Sequence, residues 1–129
     1  MSRRTGERGQ VLPLVAICLA VLLGFAGLAV DVGYLQYEQR QQQSAADAGA
    51  LGGAEQLLAD GAGCLTAATD WSTAAKGDTA RNGFTDGAGG VTVSVAHPVP
   101  TGPFTGDPCA VQVTVFSPHP TFFSKLFGM

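Results

Sequence analysis

The chain has 129 residues, of which 46% are hydrophobic and 13% charged, with 18 Gly and 7 Pro. That length accommodates one small domain rather than two. A formal net charge of −3 disfavours a nucleic-acid binder, which needs a basic surface to neutralise phosphates. Sparse charge combined with positive mean hydropathy argues against a solvated disordered chain.

The first element is a run without charge, Val11 to Val30, in which 17 of 20 residues are hydrophobic and the others are Pro13, Gly24 and Gly27. As a helix rising ~1.5 Å per residue it spans ~30 Å, the thickness of a bilayer's hydrocarbon core. Pro13 falls in the first turn, where its missing N–H costs little. Ala16, Ala20 and Gly24 recur every four residues and form a smooth face on which another helix can approach closely. Arg3, Arg4 and Arg8 precede the run against a single Glu7, so the positive-inside rule places residues 1–10 in the cytoplasm and 31–129 outside. Two other readings compete. A cleaved secretory signal would use Gly27-Leu28-Ala29 as its small-residue site, but the apolar stretch exceeds the usual ~7–15 residues. A buried core helix would need more surrounding apolar mass than the rest of the chain supplies. Cys18, inside the run, reads as an inert buried thiol.

Helix formers dominate from Leu35 to Ala59, and the next proline after Pro13 is Pro98. Leu28, Val32 and Leu35, then Ala46, Ala50 and Leu57, fall on one face at three- or four-residue steps. One helix from Val11 to about Asp60 is the economical reading, transmembrane first and extracytoplasmic afterwards, stopped by Gly61 and Gly63. Gly49, Gly52 and Gly53 each weaken it by ~1 kcal/mol relative to Ala and mark a potential break. Asp31 abuts the span, either as a charge at the outer water interface or as one that pairs with a neighbouring subunit.

Thr66 to Asn82 is read as a short second helix, capped by Thr66 or Asp70 and anchored by Trp71. Asn82-Gly83 and Asp86 to Gly90 are turns; no Lys-Ser/Thr pair follows them, so they are not a phosphate loop. Val91–Val95 and Ala110–Phe116 alternate apolar and polar residues as half-buried strands do, and antiparallel pairing across the Pro-rich loop between them is expected. Thr121 to Phe127 reads as a short amphipathic tail. The fold class is therefore α+β: a long N-terminal helix, a second short helix and a small antiparallel sheet or hairpin. Leu, Ile, Val and Phe supply 20 of the 99 residues after Val30, which makes a thin core. Cys64 and Cys109 are candidates for one disulfide if the compartment is oxidising. Such a link would contribute about 4 kcal/mol by the chain-entropy relation; the alternative is two free thiols too far apart to bridge.

His97 and His119 each precede a proline, lack nearby Cys or carboxylate ligand spacing, and read as loop or surface residues rather than a metal site. No Ser lies in a Gly-x-Ser-x-Gly elbow, and no pair of acids stands out. Neither an enzyme, a cofactor nor a small-molecule substrate is expected.

Arg8-Gly9-Gln10, the run ending Leu28-Ala29-Val30-Asp31-Val32-Gly33, the aromatic-containing turn after it, and Gln43-Ser44-Ala45-Ala46-Asp47-Ala48 followed by Ala50-Leu51 closely resemble the N-terminal segment of TadE/TadG-like proteins of Flp (Tad) pilus assembly. The resemblance covers Arg8 to Ala54. It implies a single-pass membrane protein whose partners are the membrane and other pilus-assembly or pilin-like subunits. Its role would be that of a minor pilin-like subunit or an assembly factor, without enzymatic activity. Ala16, Ala20, Gly24, Asp31, Ala46, Asp47 and Ala50 are the candidate packing and assembly residues. Two departures stand out. Many TadG proteins carry a large further domain, and a processed pilin has Glu five residues after its Gly cleavage site, where Gly9 would be followed by Leu14. The alternative function is a secreted binding module released by signal cleavage near Ala29.

Overall fold

A computed structural model describes residues 11–59, 64 and 70–119 of the chain. The elements in order are helix α1 (Val11–Ala59), helix α2 (Trp71–Arg81), strand β1 (Thr92–Ala96) and strand β2 (Gln112–Phe116). The expected α+β composition is present. The described residues divide into two compact units, one up to residue 36 and one from residue 37 onward.

In the first unit every described residue is helical, and all of Val11–Val30 except Gly27 is exposed. Leu12, Leu23, Phe25 and Val30 are 81%, 69%, 67% and 62% exposed. The expected face of Leu28, Val32 and Leu35 is not a buried one, since all three are exposed. Cys18 is exposed too: among the described residues no protein covers this stretch. Asp31, by contrast, is buried at 6% exposure.

The second unit layers helices on a two-stranded sheet. No break occurs at the glycines of α1, which stays helical to Ala59. Ala45, Gly49, Gly53 and Leu57 are its buried row, spaced by four residues and therefore on one face. The expected row of Ala46 and Ala50 is offset from it and half-buried. The glycines are contact points rather than weak points. A Cβ on Gly49 would lie 2.6 Å from Thr79 Cγ2 and 2.9 Å from the Ala75 carbonyl, and one on Gly53 would lie 3.2 Å from both Ala75 Cβ and Val111 Cγ1. The entropic cost of glycine in a helix is here exchanged for close approach of α2 and β2.

Helix α2 begins where Asp70 stands at the N-cap, although its carboxylate makes no capping bond; the other expected cap, Thr66, lies outside the described residues. The C-terminus closes in a Schellman arrangement. Gly83 takes φ +94°, its N–H donates to Ala80 C=O at 3.0 Å, and Phe84 N–H donates to Thr79 C=O at 3.0 Å. Phe84 thereby turns into the core, with Ala75, Val93 and Val99. The expected turns at Asn82-Gly83 and Asp86–Gly90 are present, with positive φ at Gly83, Gly87, Gly89 and Gly90.

The strands pair antiparallel as expected, in the register Thr92↔Phe116 through Ala96↔Gln112. Val93 is buried, Val95, Val113 and Val115 are half-buried, and Thr92, Ser94, Thr114 and Phe116 are exposed, the alternation that a one-sided sheet requires. Val111 approaches Gly53, Val113 approaches Gly49, and His119 reaches Gln42. Strand β2 therefore runs alongside α1 in the opposite sense.

Candidate assembly surface

Several features of the second unit fix its surface. Cys64 and Cys109 form a disulfide across a sequence separation of 45. It ties the segment after α1 to the segment before β2, with Cys64 buried and Cys109 exposed. Asp107 braces the same turn: its carboxylate accepts the Cys109 N–H at 2.8 Å. Asp86 links the turn after α2 to the sheet, accepting from Lys76 Nζ at 2.7 Å and from the Val93 N–H at 2.9 Å. The Lys76 hydrogen bond, followed by that of Val93, holds the Asp86 carboxyl below its ordinary value of 3.8.

The two histidines lie outside the helices and strands as expected, but neither is a free surface group. The His97 ring meets Trp71 edge-on at 5.3 Å, with Nδ1 3.2 Å from the Ala110 carbonyl oxygen. The His119 side chain is 16% exposed and 3.7 Å from the Glu38 carboxylate, with Gln42 Nε2 against its Nε2. These are packing roles that tie loops to the helices. Among the described residues, no three His, Cys, Asp or Glu side chains converge as metal ligands would. An open groove of about 600 Å3 runs between α1 and α2, lined by Gly52, Glu55, Asp70, Thr73, Asp78 and Arg81 among others. Asp78 is engaged there by Arg81.

The candidate assembly residues fall into separate groups. Ala16 and Ala20 are exposed, and a Cβ on Gly24 would meet nothing within 4 Å. Asp31 is buried. Asp47 is exposed and accepts from Gln43 at 2.8 Å, while Ala46 and Ala50 are half-buried. The residues that pack α1, Gly49 and Gly53, were not among the candidates. Their signal was the four-residue spacing Ala45-Gly49-Gly53-Leu57, which apolar periodicity passes over because glycine carries no hydrophobic weight.

The largest feature is the exposed sector Val11–Val30. Among the described residues α1 is the one helix long and apolar enough to cross a membrane. The Tad family, described as "Putative Flp pilus-assembly TadE/G-like", matches residues 9–56. The N-terminal segment is TadE/G-like. The match covers a little over a third of the chain and spans both the exposed apolar sector and the Gly49/Gly53 contact row. No curated protein and no solved structure matches the chain. The TadE/G-like segment associates the chain with pilus assembly, and its long apolar helix is compatible with membrane anchoring.

Proposed function

We propose that the chain is a single-pass membrane-anchored component of Flp/Tad pilus assembly, with a minor pilin-like or assembly-factor role and no enzymatic activity. Residues 1–10 lie in the cytoplasm, 11–30 cross the membrane, and 31–129 form the extracytoplasmic part. One observation carries the reading: the TadE/G-like match coincides with a 20-residue apolar helical sector that the described chain leaves exposed. Exposed apolar surface of this extent marks contact with lipid or with another protein. The arginines ahead of the span set the orientation, and the disulfide suits an oxidising compartment outside the cytoplasm. The match also runs through Ala29 to residue 56, which supports a segment retained as one piece over release by cleavage there.

Deletion of the coding sequence in the source cell tests the process. Loss of surface pili, restored by the full chain and not by residues 31–129 behind a cleavable signal, is the expected result. Normal piliation in the deletion, or rescue by the anchorless form, would refute the proposal.

A further inference from the structure

The sequence contains one asparagine, and a glycine follows it: Asn82-Gly83. Asparagine is among the thermally labile side chains, and the reason is intramolecular. The main-chain nitrogen of the next residue can attack the side-chain amide carbon, Cγ, and close a five-membered succinimide ring. The new N–Cγ bond expels Nδ2 as ammonia, and water then opens the ring at either carbonyl. Opening at Cγ leaves Asp. Opening at the main-chain carbon leaves isoAsp, whose chain continues through Cβ. The sum is one water consumed and one ammonia released, with no change of oxidation state. Glycine is the most permissive follower, because no Cβ crowds the attacking nitrogen.

The folded chain leaves this pair in water but holds it out of the reacting geometry. Asn82 and Gly83 are both exposed, so solvent base and water reach them. Asn82 is the C-cap of α2 with ψ 14°, which nearly eclipses the Gly83 nitrogen with the nitrogen of Asn82 itself; ring closure needs it eclipsed with Cβ instead. Three hydrogen bonds oppose that rotation. Asn82 Nδ2 donates to the Asp78 C=O at 2.9 Å. Gly83 N–H donates to the Ala80 C=O at 3.0 Å, which keeps the nucleophilic nitrogen protonated and occupied, and Phe84 N–H donates to the Thr79 C=O at 3.0 Å. Phe84 itself is 8% exposed, so turning the Asn82–Gly83 peptide withdraws a core side chain.

We propose that Asn82-Gly83 is a self-modification site that the Schellman turn holds shut, converted through the succinimide to Asp or isoAsp when the C-terminal end of α2 opens. The conversion is one-way. Asp carries no N–H to return to the Asp78 carbonyl, and its carboxylate stands against the negative end of the α2 dipole. IsoAsp adds a main-chain methylene between Thr79 and Phe84, which displaces either the Schellman bonds or the seat of Phe84. The site therefore records the time that this unit has spent open, and a converted chain does not close to the same structure.

The full chain in detergent, incubated at mildly alkaline pH with and without urea, tests the gate. Peptide mass spectrometry reads Asp and isoAsp at position 82. Conversion in urea is expected to be more than about tenfold faster than in the folded chain, where it waits on local opening. Equal rates, or no conversion in urea, would overturn the proposal. Phe84→Ala removes the anchor of the turn and is expected to speed conversion without urea by about tenfold while leaving the rate in urea unchanged. No acceleration without urea, or the same acceleration in urea, would overturn the gate. If that variant does not fold, its rates with and without urea converge, and the wild-type ratio decides. Asn82→Asp supplies one product directly and is expected to unfold at lower urea than wild type; an equal or higher midpoint would overturn the one-way consequence.

Discussion

At the scale of single residues, glycines of the two helices have opposite values. A Cβ on Gly77 in α2 meets nothing within 4 Å, so Gly77→Ala collects the helix-propensity gain of about 1 kcal/mol. A Cβ on Gly49 would fall well inside contact distance of the Thr79 methyl and the Ala75 carbonyl. Overpacking costs about 1–3 kcal/mol and outweighs the same gain there. Thermal unfolding of the two variants is therefore expected to move in opposite directions, Gly77→Ala upward and Gly49→Ala downward, each by a few degrees on the usual scale of ~4–8 °C per kcal/mol. Asp86 gives a pH prediction. Its carboxyl is held below the ordinary 3.8 by Lys76 first and Val93 second. A depressed folded-state value contributes stability above the unfolded value and loses it as pH falls through the folded one. The difference in urea midpoint between wild type and Asp86→Asn is expected to be full at pH 6 and to shrink below about pH 4. A difference that grows on acidification would contradict the role given to the Lys76 and Val93 contacts.

At the scale of elements, the disulfide carries much of a thin core. The chain-entropy relation for its separation of 45 residues gives about 4 kcal/mol. Cys64→Ser, Cys109→Ser and the double variant are expected to lose similar stability, read as the denaturant midpoint in the detergent-solubilised full chain. A double variant much less stable than either single one would mean that the thiols act separately. The C-terminal end of α2 and the pairing of the strands were legible because the signals are local: Asn82-Gly83, and valines alternating with polar residues. For the start of α2 the sequence offers both Thr66 and Asp70 as caps, and the helix begins at Trp71. The buried face of α1 was legible only to within one position. Ala46, Ala50 and Leu57 carry the apolar signal, whereas the contact row is set by how close Gly49 and Gly53 let α2 and β2 come. The bridge from Lys76 through Asp86 to Val93 was not legible, since it depends on a turn bringing three distant positions together. The register of the strands is likewise not encoded by either strand alone.

At the scale of the whole molecule, the low charged fraction and the high hydrophobic fraction resolve into two populations. The apolar residues from Val11 to Val30 stay exposed and suit lipid or a neighbouring helix, while the second unit builds its core from Ala45, Leu57, Cys64, Ala75, Thr79, Phe84, Val93 and Val99. In the function proposed above, a retained anchor holds the C-terminal part of the chain outside the cytoplasm. Carbonate extraction of membranes from cells expressing a C-terminally tagged chain, followed by protease treatment of intact spheroplasts and N-terminal sequencing of the mature protein, tests it most directly. The expected product is a carbonate-resistant protein that begins before Val11 and loses its tag to external protease. A soluble form beginning near Val30, or a tag protected until the membrane is lysed, would contradict it.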